Sequence, residues 1–130
     1  KFNTFGEYGD YAHNKSGKFY MDGHQVMTFV IRKVPKIINE FLALNNIKKD
    51  EIDLFLFHQG SKYLIEQLAK RLKIPNYKVP IKMEKCGNTV SSSIPLVLEK
   101  YIDKSDAESI LLNGFGVGLS VGTAVLRRSG

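Results

Sequence analysis

The stretch LFLFHQGS, Leu54 to Ser61, decides how the rest of the chain is read. It belongs to a short, nearly unbroken apolar run from Ile52 to Phe57, the pattern of a strand covered on both faces. The run leads straight into His58, and Gly60 with Ser61 then makes a small-residue turn. Ser61 can cap a helix whose inward residues are Leu64, Ile65, Leu68, Ala69 and Leu72, and which ends before Pro75. A strand turning into a helix is a piece of an α/β layer, and open α/β sheets bind ligands outside the carboxyl ends of their strands. An imidazole placed there reaches the crevice from a rigid backbone. A hydrogen-bonded structural histidine is the plainer alternative.

Upstream, apolar residues at Met27, Val30, Ile31, Val34, Ile37, Ile38, Phe41 and Leu44 step by three and four, which predicts a helix from His24 to about Asn45. Phe29 and Leu42 widen its apolar surface beyond one contact face, and Pro35 is expected to kink or split it. Residues 1–23, rich in Gly, Asn, Asp and aromatics, read as a loop-rich opening segment with at most a short strand. Downstream, Tyr77 to Ile81 reads as a short strand or extended loop. Asn88 to about Ile102 reads as a third helix, with Val90, Ile94, Val97, Leu98 and Tyr101 inward and Pro95 in its middle. Ser109 to Phe115 and Leu119 to Arg127 read as a hairpin joined through Gly116-Val117-Gly118, closing the edge of a sheet. Residues 24–130 therefore form one α/β domain.

At 130 residues and 43% hydrophobic, the chain is long enough for a real core. It has no apolar run of membrane-spanning length and no charged-then-apolar leader. Beginning at Lys1 rather than methionine, it is expected to be a piece of a longer protein. One cysteine, Cys86, excludes an intrachain disulfide and a multi-cysteine zinc cluster, and a reducing, cytoplasmic location is the natural expectation. The net charge of +6 favours an acidic partner. Lys70, Arg71, Lys73, Lys78, Lys82 and Lys85 cluster in sequence, either as a solvated face or as a docking patch for an acidic protein. No nucleic-acid-binding pattern accompanies them.

Two further stretches carry potential chemistry. In CGNTVSSSIP, Cys86 to Pro95, Asn88 falls at the predicted helix start, as an N-cap or as an amide aimed into the crevice. In GFGVGLSVG, Gly114 to Gly122, the glycines permit close ligand approach or simply a tight hairpin. That stretch lies between two strands, so a dinucleotide-binding reading fails.

In this order and spacing, HQGS, GNT with a proline seven positions after the Asn, and GFGVGLSVGTAVL resemble the C-terminal half of the β-ketoacyl-acyl-carrier-protein synthase III family, thiolase-like condensing enzymes. The resemblance runs from about Phe19 to Arg128. It implies helices layered on a mixed five-stranded sheet, incomplete here, in an acyltransferase of fatty acid biosynthesis that uses neither metal nor cofactor. It also implies an N-terminal half of the same chain, a homodimeric parent, and acyl-carrier protein and acyl-CoA or other acyl thioesters as partners. His58 and Asn88 would then be two of a Cys-His-Asn set. The family's cysteine takes up an acyl group, and the carbanion from decarboxylated malonyl-acyl-carrier protein attacks it. Nothing here matches the segment that carries that cysteine, and Cys86 stands where the family varies.

The resemblance extends to softer matches. Gly23 and His24 match the loop along the pantetheine tunnel, and Gly60 and Ser61 match the Ala-Asn pair usual after His-Gln. Phe115 matches an aromatic near the active-site cysteine. Val117 stands where a glycine usually gives a backbone donor, and Tyr63 where an arginine meets the carrier protein. Lys62 and the Lys70, Arg71 and Lys73 cluster are the compensating candidates for carrier docking. The alternatives are acyl transfer to an oxygen or nitrogen nucleophile in specialised lipid or cell-surface biosynthesis, and a non-catalytic carrier-protein-binding module. The wide apolar helix and the hairpin are expected to leave exposed apolar surface, and the isolated chain is expected to self-associate.

Overall fold

The computed structural model describes residues 1–102 and 106–129. In chain order the regular elements are β1 (Phe2–Thr4), β2 (Ala12–Lys15), β3 (Lys18–Met21), α1 (Gly23–Leu44), β4 (Leu54–Phe57), α2 (Lys62–Leu72), α3 (Ser93–Ile102), β5 (Ser109–Gly116) and β6 (Ser120–Arg127). The main sheet has the order β1-β6-β5-β4, and β2 with β3 forms a separate antiparallel ribbon. β4 pairs parallel with β5, and β5 pairs antiparallel with β6. The sheet is therefore mixed, and the β5–β6 hairpin lies inside it rather than at its edge.

Alternation along the strands divides the sheet's two faces. Phe55 and Phe57 of β4 share a face with Leu111 of β5 and with Val121 and Val125 of β6. α1 and α2 cover that face, burying Val30, Val34, Ile38, Ile65, Leu68 and Leu72 against it. The opposite face carries Leu54, Leu56, Ile110, Leu112, Ala124 and Leu126. Val97 of α3 covers Leu56 and Ile110 there, while Ala124 and Leu126 stay exposed. At the starts of β4 and β5, Asp53 sets the register: its carboxylate accepts the N–H groups of Glu108 and Ser109, both at 2.9 Å.

Several sequence expectations change. Residues 1–23 hold three short strands and a 3-10 turn at Gly6–Tyr11, more structure than a loop. α1 runs unbroken through Pro35, and Asp22 caps it, accepting from Gln25 N at 3.0 Å. The apolar width of α1 is already covered within the chain. Phe29 is 4% exposed, with the rings of Phe5 and Tyr8 both 5.3 Å away, and Leu42 is also buried. Lys33 closes this cluster from outside, its ammonium 5.5 Å from the Tyr8 ring. Of the residues predicted for that face, Leu44 at the end of α1 is instead exposed; further exposed apolar surface lies at Phe2, Phe19 to Met21 of β3, Leu126, and Leu96 and Ile102 of α3.

The third helix begins five residues later than expected. Pro95 sits in the first turn of α3, where its missing N–H is one of the groups that lack a partner in any helix. Val90 stands in a 3-10 turn ahead of it and points outward, 68% exposed. Residues 77–81 form a 3-10 turn and irregular chain rather than a strand.

The Phe29 cluster gives a direct test. Phe29→Ala is expected to cost about 3–5 kcal/mol in urea unfolding, the range for emptying a buried aromatic site. A loss below about 1 kcal/mol would mean that the N-terminal aromatics do not seal α1 in solution.

Candidate active site

His58 follows the last residue of β4, and its backbone N–H donates to Asn113 O of β5 at 2.9 Å. This bond carries the strand pairing one residue further and fixes where the side chain leaves the sheet. The half-buried ring is held from two sides. Its Nδ1 lies 2.8 Å from Ser93 Oγ at the start of α3, and the Phe115 ring meets it edge-on with centroids 5.1 Å apart. Gly60 leaves the ring room, since a Cβ there would stand 3.3 Å from His58 Cδ2. Burial lowers the pKa of His58 from its ordinary 6.5, and the Val90 carbonyl offsets this in part. The shift favours the neutral form of the ring near pH 7.

Gln59 anchors the other wall. Its side chain is 2% exposed, donates to Phe57 O at 2.8 Å and accepts from Lys82 N at 2.9 Å. It stitches the strand end to the chain that approaches Asn88. Asn88 is exposed in irregular chain ahead of the 3-10 turn, and its Oδ1 accepts the N–H of Val90 at 2.9 Å. That bond occupies the amide's oxygen and leaves the Nδ2 hydrogens to donate. Val90 adopts φ +53, an outlier conformation for a β-branched residue. Val90 thereby links the two expected site residues, its N–H to Asn88 and its carbonyl to His58.

The other expected residues are dispersed. Gly23 and His24 lie in the exposed first turn of α1 rather than in a loop. Ser61 caps α2, accepting from Leu64 N at 3.1 Å. Positive φ values near the hairpin turn fall at Gly118 and Leu119 rather than at Val117, which stands exposed. Lys62 opens α2, while Lys70, Arg71 and Lys73 are exposed at its far end, about 12–16 Å along the axis. Lys78 is not a free docking charge, because its ammonium donates to Ile52 O at 2.6 Å. Cys86 is a free, exposed thiol, and no cluster of metal-ligating side chains occurs among the described residues. A groove of about 450 Å³ runs between α2 and residues 76–84 and includes neither His58 nor Asn88.

Sequence reasoning missed Ser93, Gln59 and Asn113. Pro95 was the available signal for Ser93, because a proline in a first turn places the helix start just before it. Gln59 and Asn113 are polar residues in apolar surroundings, which are retained when hydrogen-bonded.

Comparison with known proteins shows the family to which this fold belongs. Residues 42–128 match the family described as 3-oxoacyl-[acyl-carrier-protein] synthase III C terminal. The chain belongs to that family. A β-ketoacyl-[acyl-carrier-protein] synthase III from Lactobacillus helveticus is 35% identical over 112 residues, covering 84% of this chain and 34% of that protein. One from Pyropia yezoensis is 37% identical over 118 residues, covering 88% and 36%. The crystal structure of 3-oxoacyl-[acyl-carrier-protein] synthase III from Aquifex aeolicus superposes with a TM-score of 0.91 at 29% identity, covering 98% of this chain and 43% of that one. The fold is thus the C-terminal part of a thiolase-like synthase III. The chain spans about a third of the length of the curated relatives it matches.

The lowered pKa of His58 has a signed consequence. The unfolded ring takes up a proton near pH 6.5, whereas the folded ring resists until a lower pH. Stability contributed by the neutral ring is present above pH 6.5 and is lost as pH falls below it. Urea unfolding between pH 8 and pH 5 is expected to show that loss, and a shallower one in His58→Gln. Equal pH slopes in the two proteins would contradict the burial of a neutral ring.

Proposed function

We propose that this chain is the C-terminal part of an acyltransferase that condenses an acyl thioester with malonyl-acyl-carrier protein, losing carbon dioxide. The observation that supports the reading is that Val90 bonds both His58, at the carboxyl end of β4, and Asn88. A neutral His58 has one ring nitrogen held by Ser93, and the amide oxygen of Asn88 is occupied by Val90. Family membership and the synthase names of the relatives support the same reading.

The chemistry accounts for both donors. When the malonyl carboxylate leaves as carbon dioxide, its bonding electrons pass into the thioester carbonyl and form an enolate. His58 Nε2–H and Asn88 Nδ2–H hydrogen-bond that oxygen as its charge grows, which lowers the barrier as an oxyanion hole does. The enolate carbon then attacks an acyl group borne on a cysteine in the N-terminal half of the same protein. The cysteine thiolate leaves, and a 3-oxoacyl thioester is released. Half-burial of His58 strengthens its donation by reducing competition from water.

Exposed Lys62, Lys70, Arg71 and Lys73 along α2 suit an acidic carrier protein, with the long-range attraction that speeds encounter. The exposed Phe2, Leu96, Ile102 and Leu126 suit cover by an N-terminal half of the same chain. A free, exposed Cys86 suits the reducing cytoplasm.

In the full-length protein, His58→Ala and Asn88→Ala are each expected to slow malonyl-thioester decarboxylation by about 10²–10³, the usual cost of one oxyanion donor. Cys86→Ser is expected to leave acyl-enzyme formation unchanged by intact mass. Wild-type decarboxylation in both donor variants, or loss of the acylated species in Cys86→Ser, would refute the proposed roles.

A further inference from the structure

We infer that Ser93 is a positioning residue that sets the tautomer of His58, its hydroxyl donating to Nδ1 so that the ring proton stays on Nε2. The inference rests on the donor role proposed for His58 and supplies what that role requires, since a neutral imidazole offers an N–H at only one of its two nitrogens.

The argument is an accounting of hydrogens. Ser93 is 2% exposed at the start of α3. Its Oγ accepts the backbone N–H of Gln59 at 3.2 Å and lies 2.8 Å from His58 Nδ1. The hydroxyl has a single proton to place. Among the described residues, Nδ1 is the one acceptor within hydrogen-bond distance of it. The Val90 carbonyl accepts the backbone N–H of Ser93 and, with its second lone pair, also faces the His58 ring. With the ring proton on Nδ1, that N–H would point at the serine oxygen, and the buried hydroxyl proton would have no acceptor. An unmet buried donor is the costly half of a lost hydrogen bond. With the ring proton on Nε2, the Gln59 N–H and the serine O–H both have acceptors.

The arrangement also gives α3 a part in the site. Ser93 ties its first residue to the end of β4 through two groups of consecutive residues, the ring of His58 and the N–H of Gln59. Displacing the start of α3 therefore displaces the imidazole.

Nitrogen-15 spectra of the full-length, ligand-free protein, labelled at histidine, read the tautomer directly at pH 8. His58 is assigned by its loss in His58→Gln. The expected result is a protonated, pyrrole-like Nε2 with a bare Nδ1 in the parent and in Ser93→Thr, and a mixture of tautomers in Ser93→Ala. A proton on Nδ1 in the parent, or an unchanged tautomer in Ser93→Ala, would overturn the inference. In the decarboxylation assay, Ser93→Ala is expected to lower kcat about tenfold with KM unchanged, and Ser93→Thr to restore it. An effect confined to KM would likewise overturn it. If the parent decarboxylates no malonyl thioester, the proposed function fails, while the spectra still decide the role of Ser93.

Discussion

One backbone bond organises the site: the N–H of His58 donating to Asn113 O, where the parallel pairing of β4 and β5 ends. Parallel strands bonded along their length leave little freedom to the residue that follows, so the imidazole departs from a fixed point in a fixed direction. Asp53 locks the same two strands at their other end. Between these bonds, Phe55, Leu56 and Phe57 are fully buried, so the cost of a register slip is the exposure of the whole run. Precision at His58 is thus derived from apolar burial several residues away.

The opposite wall of the site is built differently. Residues 74–92 contain no strand and no α-helix, and side chains hold them in place. Gln59 reaches Lys82 N, Asn88 reaches Val90 N, and Ser93 reaches both His58 and Gln59 N. Val90 at φ +53 is the strained link, of order 1–3 kcal/mol by analogy with other such residues, and it lies where its two backbone polar groups serve Asn88 and His58. A loop carrying that strain keeps its shape only while the surrounding bonds hold.

Much of this was legible in the sequence because burial leaves periodic marks. The apolar run into His58 announced β4, the Ser61 cap and the Leu64 to Leu72 spacing announced α2, and the glycine-rich turn announced the β5–β6 hairpin. The expected start of α3 falls too early because asparagine is a strong N-cap residue, which makes a cap one of the two roles open to Asn88. In the structure its side chain bonds Val90 N in irregular chain, and Pro95 marks the true first turn. The cover over α1 was invisible because it depends on Phe5 and Tyr8, aromatic residues in a segment with no period of its own. Ser93 was hidden for a similar reason: one of three consecutive serines became significant only when the chain folded it against a residue 35 positions away.

The central claim is that β4 and the chain around Asn88 converge two N–H donors on one developing oxygen charge. A crystal structure of the full-length protein with a non-decarboxylating malonyl-thioester analogue tests it most directly. The account predicts the thioester carbonyl oxygen within about 3 Å of both His58 Nε2 and Asn88 Nδ2. A carbonyl oxygen contacting neither nitrogen, with the analogue seated away from the end of β4, would contradict it.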